Sequence, residues 1–130
     1  MIIYAYFKLL PSQLMSYRNQ FIWKRGIQLS VKCYQLTQHF PKSELYGLTN
    51  QIRRSSVSVP SNIAEGYGRQ TRGEYIQFLH MALGSLRELD TQLIIAKQVG
   101  LADESLFTRV MNEVEEMQGI MVSTLNKLKA

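Results

Sequence analysis

The chain has 130 residues, with 15 Lys and Arg against 10 Asp and Glu, a net charge of +5 and an isoelectric point near 9.5. Apolar residues make up 45% and charged residues 19%, which excludes a disordered chain and suits one domain with one core. The longest run without a charged side chain, Tyr75 to Leu86, is 12 residues, short of the roughly 20 that a spanning helix needs, and the single cysteine, Cys33, excludes an internal disulfide and a multi-cysteine metal site.

Residues 1–18 read as an N-terminal extension and residues 19–130 as a helical bundle. In the extension, Ile2, Ile3, Tyr4, Tyr6, Phe7, Leu9 and Leu10 are apolar around Lys8. This lacks the order of a secretory signal, in which positive charge precedes the apolar run. The segment is expected to pack on the body or on a neighbouring copy, or to lie upstream of a start at Met15. With no signal and no disulfide, the expected location is the cytoplasm.

Four amphipathic helices follow. The first is predicted over about 19–38, with apolar positions at Ile22, Leu29, Cys33 and Leu36 and at Trp23, Ile27, Val31 and Tyr34. Together these make a wide apolar face that ends at Phe40-Pro41. The second opens at Pro41, with Glu44 in its first turn, and carries Leu45, Leu48, Ile52, Val59, Ile63 and Tyr67 on one stripe. Pro60 opposes an interior helical position, so a helix kinked there is preferred to a break at which Asn62 caps a new helix with Glu65 three residues on. Gly66 and Gly68 are expected to end this segment. The third helix starts at a capping box, Thr71 with Glu74, and its stripe runs Tyr75, Phe78, Leu79, Ala82, Leu86, Leu89, Leu93 and Ala96 to a stop at Gly100. The fourth starts at Asp103 and carries Phe107, Val110, Met111, Val114, Met117, Met121, Leu125 and Leu128. Connections of about two to four residues make neighbours antiparallel, so the pattern describes an all-α, up-down-up-down four-helix bundle.

The charge is uneven along this bundle. Residues 1–72 hold ten basic and two acidic side chains, and residues 73–130 hold five basic and eight acidic. Antiparallel order gathers Arg18, Lys24, Arg25, Arg69, Arg72, Lys127 and Lys129 at one pole, near Glu65 and Glu74. Arg53 and Arg54 extend positive charge along one side, unless one of them pairs with Glu88 or Asp90. Such clusters suit phosphate backbones or an acidic protein partner. Base stacking needs exposed aromatics beside them, and the two near the pole, Trp23 and Tyr67, lie on core stripes.

Catalytic patterns are weak. His39 and His80 lie far apart and neither has a Glu-x-x-His partner, so no metal or other cofactor is expected. Cys33 sits on an apolar face and reads as core. Ser55, Ser56, Ser58 and Ser61 lack a Gly-x-Ser-x-Gly context and read as small helix-contact residues. Gly66-Tyr67-Gly68 lacks the length and the Lys of a phosphate-binding loop. Glu65 is the one carboxylate with a candidate buried position, against Arg53, Arg54 or Arg69, and an ion pair is preferred to a general base.

The string Phe40-Pro41-Lys42-Ser43-Glu44-Leu45-Tyr46-Gly47-Leu48-Thr49-Asn50-Gln51-Ile52-Arg53-Arg54 continues into Ser58-Val59-Pro60-Ser61-Asn62-Ile63-Ala64-Glu65-Gly66, and then Ala82-Leu83-Gly84-Ser85-Leu86-Arg87-Glu88-Leu89. From about Phe21 onward the chain resembles the four-helix-bundle proteins encoded by intervening sequences in bacterial 23S ribosomal RNA genes. The resemblance implies a ring-like homopentamer. It also implies a fold relation to the basic pentameric accessory proteins of diversity-generating retroelements, which bind nucleic acid and a reverse transcriptase. No catalytic residues come with it. Its signature residues Gln51, Arg53, Ser58, Pro60, Asn62, Glu65, Gly66, Ser85 and Glu88 are matched here, and Asn62, Glu65 and Ser85 are candidates for buried hydrogen bonds between the second and third helices. The expectation is a non-enzymatic oligomeric bundle that binds structured RNA or DNA through its basic pole. The alternative is a protein-interaction scaffold for an acidic partner.

Overall fold

The computed structural model describes residues 16–130, so the expectations for the first 15 residues, including the start at Met15, lie outside the described residues. Four helices follow one another: α1 Phe21–Thr37, α2 Asn50–Tyr67, α3 Arg72–Gln98 and α4 Glu104–Lys129. Each packs on its neighbours in the chain, and α4 closes against α1. The connections 38–49, 68–71 and 99–103 reverse direction each time, giving the up-down-up-down bundle, and the first is far longer than expected because it holds two further turns of its own. No helix among the described residues is long and apolar enough to cross a membrane.

The helix ends follow local chemistry. Thr71 caps α3: its Oγ1 accepts from the Glu74 N–H at 3.1 Å and donates to the Glu74 carboxylate at 2.9 Å. At the other end Gly100 adopts a φ of +76°. Its N–H bonds the Lys97 carbonyl and the Leu101 N–H bonds the Ala96 carbonyl, each at 3.1 Å. That double closure requires a left-handed residue, which glycine supplies without strain. Asp103 occupies the cap position of α4, but its side chain makes no capping hydrogen bond.

The second helix does not begin at Pro41. A 3-10 turn, Lys42–Glu44, leads into a widened turn, Leu45–Thr49, in which Gly47 leaves helical geometry at φ −103° and ψ −121°. The cause is Glu44, whose Oε1 accepts from the Leu48 N–H at 3.2 Å and occupies the space beside Gly47. A Cβ on Gly47 would lie 2.8 Å from that oxygen. Leu45, expected on the core stripe, is consequently exposed.

The interior is built by one line from each helix: Leu29, Cys33 and Leu36; Ile52, Val59 and Ile63; Leu79, Leu86, Leu89 and Leu93; Phe107, Val114, Met117 and Met121. Burial pushes the Cys33 thiol up to about 12, which keeps it neutral and inert in the core. The wide apolar face expected of α1 is only half used. Ile27, Val31 and Tyr34 stay 38%, 51% and 43% exposed, because a helix buries an arc and this second line falls outside it, beside α2.

Helix α2 runs through Pro60 without a break. Proline lacks the N–H that would bond the carbonyl four residues back, at Ser56. That carbonyl is satisfied from outside: Ser30 Oγ of α1 donates to it at 2.8 Å, and the same hydroxyl lies 3.0 Å from the Gly26 carbonyl. The close approach needs a small residue opposite the ring. A Cβ on Gly26 would sit 3.2 Å from the Pro60 Cβ. Asn62 therefore caps nothing; its Nδ2 donates to the Ser58 carbonyl at 2.8 Å. Gly66 is not a terminator either. It is buried inside α2, where a Cβ would meet the Phe78 Cβ of α3 at 2.6 Å, and Gly68 takes the cap position.

Candidate nucleic-acid interface

The antiparallel order brings the start of α1, the α2–α3 loop and the end of α4 to one pole, and two contacts tie these pieces together. Gln20 Nε2 donates to the Tyr75 hydroxyl at 3.2 Å, joining the start of α1 to that of α3. Arg72 donates to the Leu128 carbonyl on the last turn of α4. A cation there meets the negative end of the helix dipole, as do Lys127 and Lys129. Arg18, Lys24, Arg72, Lys127 and Lys129 are all exposed, and no carboxylate among the described residues pairs with any of them.

Two expected members of this patch are used elsewhere. Arg25 lies one turn into α1 and faces α4, where it pairs with Glu113 at 3.9 Å and Glu116 at 3.7 Å while covering the Phe21 ring. Lys32, two turns further on, also pairs with Glu113, so the α1–α4 seam absorbs both charges. Arg69 pairs with Glu65 at 2.6 Å across one helical turn and lies over the Phe78 ring. Glu65 is therefore an exposed ion-pair partner, 57% accessible, rather than a buried group between α2 and α3.

On the side of the bundle, neither Arg53 nor Arg54 pairs with Glu88 or Asp90. Glu88 accepts instead from Ser55 Oγ at 2.7 Å. Arg53 Nε donates to Thr37 Oγ1 at 2.8 Å, and its guanidinium carbon lies 4.6 Å from the centroid of the Tyr34 ring. Arg54 is exposed. Ser58 and Ser85 share a hydrogen bond at 2.8 Å, and Asn62 Nδ2 reaches Ser58 Oγ at 2.9 Å. The family-like residues Ser58, Pro60, Gly66, Ser85 and Glu88 thus join α2 to α1 and α3, whereas Asn62, expected to bond across to α3, bonds only to Ser58 one turn back in its own helix, and Gln51 is exposed.

Tyr34 and Thr37 are the site residues that the sequence reading missed. Both sat within a helix whose apolar spacing pointed inward, and only the register of α1 against α2 brings them to Arg53. Trp23 packs on the core and against Tyr17, and Tyr67 is half-buried. His39 and His80 are exposed on different parts of the bundle. Among the described residues no three His, Cys, Asp or Glu side chains cluster as metal ligands do. The cleft beside His39, about 300 Å³, is lined by Lys32, Gln35 and Arg109 over aliphatic side chains and contains no carboxylate, serine or cysteine.

No curated protein sequence matches the chain. A crystal structure of a protein of unknown function from the S23 ribosomal protein family, from Bacteroides thetaiotaomicron VPI-5482, is similar to it. That protein is 20% identical, with a TM-score of 0.72 over 80% of this chain and 97% of the other, a likeness that establishes the fold. The model of the 23S rRNA-intervening sequence protein family matches residues 18–123, which hold all four helices up to the last turns of α4. On that match the chain belongs to the 23S rRNA-intervening sequence protein family.

Proposed function

We propose that this protein is a non-enzymatic, self-associating helical bundle that binds structured RNA or DNA through the pole formed by Arg18, Lys24, Arg72, Lys127 and Lys129. The observation that carries this reading is the set of five exposed cations on three chain segments at one end, each without a carboxylate partner among the described residues. Phosphates are bound by such clusters through release of condensed counterions. Exposed apolar side chains at the end of α3, Ile94, Ile95 and the capping Val99, support assembly with further copies. A homopentameric ring would repeat the basic pole five times and raise avidity without new contacts.

Replacing the five cations with Gln tests the reading. Binding to a fluorescently labelled ribosomal RNA hairpin, followed by anisotropy, should be lost while far-UV circular dichroism stays unchanged. Binding that survives the change places the interface elsewhere and overturns the reading. Sedimentation velocity of the unmodified chain checks the assembly, and a monomer at all concentrations contradicts it.

A further inference from the structure

We infer that the α1–α2 face carries a second contact for nucleic acid, a platform on which an unpaired base stacks against the outer side of the Tyr34–Arg53 pair, with Arg54 beside it. This deepens the proposed role and rests on it. The structure forms here an open cleft of about 470 Å³ lined by Tyr34, Asn50, Arg53, Arg54, Val57 and Ser58, with no acidic side chain in its wall. Single strands are held by this combination of an aromatic face and cations beside it.

The arginine is fixed before any ligand arrives. Thr37 Oγ1 accepts from Arg53 Nε at 2.8 Å and is itself anchored, donating to the Cys33 carbonyl at 2.8 Å. The guanidinium carbon then sits over the Tyr34 ring, 4.6 Å from its centroid. Its two terminal NH2 groups make no ion pair among the described residues and remain available to a phosphate or to a base edge. Tyr34 keeps 43% of its surface open, so its ring borders the cleft rather than the core. Arg54, exposed at the next position, supplies a second cation for the backbone on either side of the stacked base. A paired base cannot enter such a cleft, because its faces are already covered in the duplex. The ligand is therefore an unpaired nucleotide in a loop, bulge or single-stranded end.

The test uses the full chain and two RNAs: an oligouridylate bearing one 5-iodouracil, and a fully paired blunt hairpin of equal length. Photocrosslinking should map to Tyr34. Tyr34→Ala should weaken oligouridylate binding roughly 5- to 100-fold with an unchanged salt slope, as expected for lost stacking, and Tyr34→Phe should retain it. Arg54→Gln should lower the salt slope by about one contact. If Tyr34→Ala binds the oligouridylate as the parent chain does, the platform is wrong, while retained hairpin binding leaves the basic pole standing. If the parent chain binds neither RNA, both readings fall.

Discussion

The two halves of the bundle are held together by different means. On α3 and α4 the buried line is made of large side chains, Leu79, Leu86, Leu89, Leu93, Phe107, Met117 and Met121, and cohesion comes from apolar area removed from water. Where α1 meets α2 the contact is made by Gly26, Ser30, Ser56 and Pro60. Cohesion there depends on close backbone approach and on one hydroxyl that replaces the hydrogen bond proline removes. The first half tolerates reshaping because aliphatic volume can redistribute. The second does not, because a missing hydroxyl or an added methyl has no substitute nearby. Ser58, Pro60 and Gly66 of the family-like string lie on α2 where it meets α1 and α3, so that part of the string records how the helices meet.

The largest effect should come from the apolar half. Phe107→Ala empties the biggest fully buried side chain and should cost about 3–5 kcal/mol, read as a lower urea midpoint at constant m. Gly66→Ala probes the α2–α3 crossing by the opposite insult, adding a Cβ that would lie 2.6 Å from the Phe78 Cβ. Overpacking of that kind costs about 1–3 kcal/mol, so one methyl added to a geometric seam should approach the effect of a large truncation elsewhere.

Ser30→Ala sharpens the contrast. It leaves the Ser56 carbonyl buried without a donor and should cost about 1–3 kcal/mol. In a Pro60→Ala background the restored N–H takes over that carbonyl, so the same substitution should cost measurably less. A double-mutant cycle with a coupling energy near zero would show that Ser30 and Pro60 do not compensate one another. The smallest effect belongs to the pole. Arg72→Gln removes the cation on the end of α4 and should destabilise by about 0.3–1 kcal/mol, visible as faster amide exchange confined to the last turn.

The fold was legible because apolar residues at helical spacing in four long segments leave few alternatives. The Thr71 cap and the Gly100 stop were equally plain, since each is settled within four residues of sequence. What escaped was everything decided between helices. Glu44 folds back onto Leu48 and delays α2, which no spacing rule encodes. Gly66 looked like a terminator because glycine has that role when the chain is considered alone, and only the packed α3 shows that it makes room for Phe78. Arg25 and Arg69 stood in the basic patch until Glu113, Glu116 and Glu65 claimed them. Conversely, the apolar spacing of α1 points Tyr34 to the core, but the bundle buries the line beside it and leaves Ile27, Val31 and Tyr34 exposed.

The most direct test of the central claim is the affinity of the unmodified protein for a structured ribosomal RNA fragment containing one unpaired loop, measured by anisotropy from 50 to 200 mM salt. Five pole cations with Arg54 give about six phosphate contacts, so the affinity should fall on the order of a thousand-fold across that range, linearly on logarithmic axes. Weak binding that does not respond to salt would contradict the account and leave the exposed cations as ordinary surface charge.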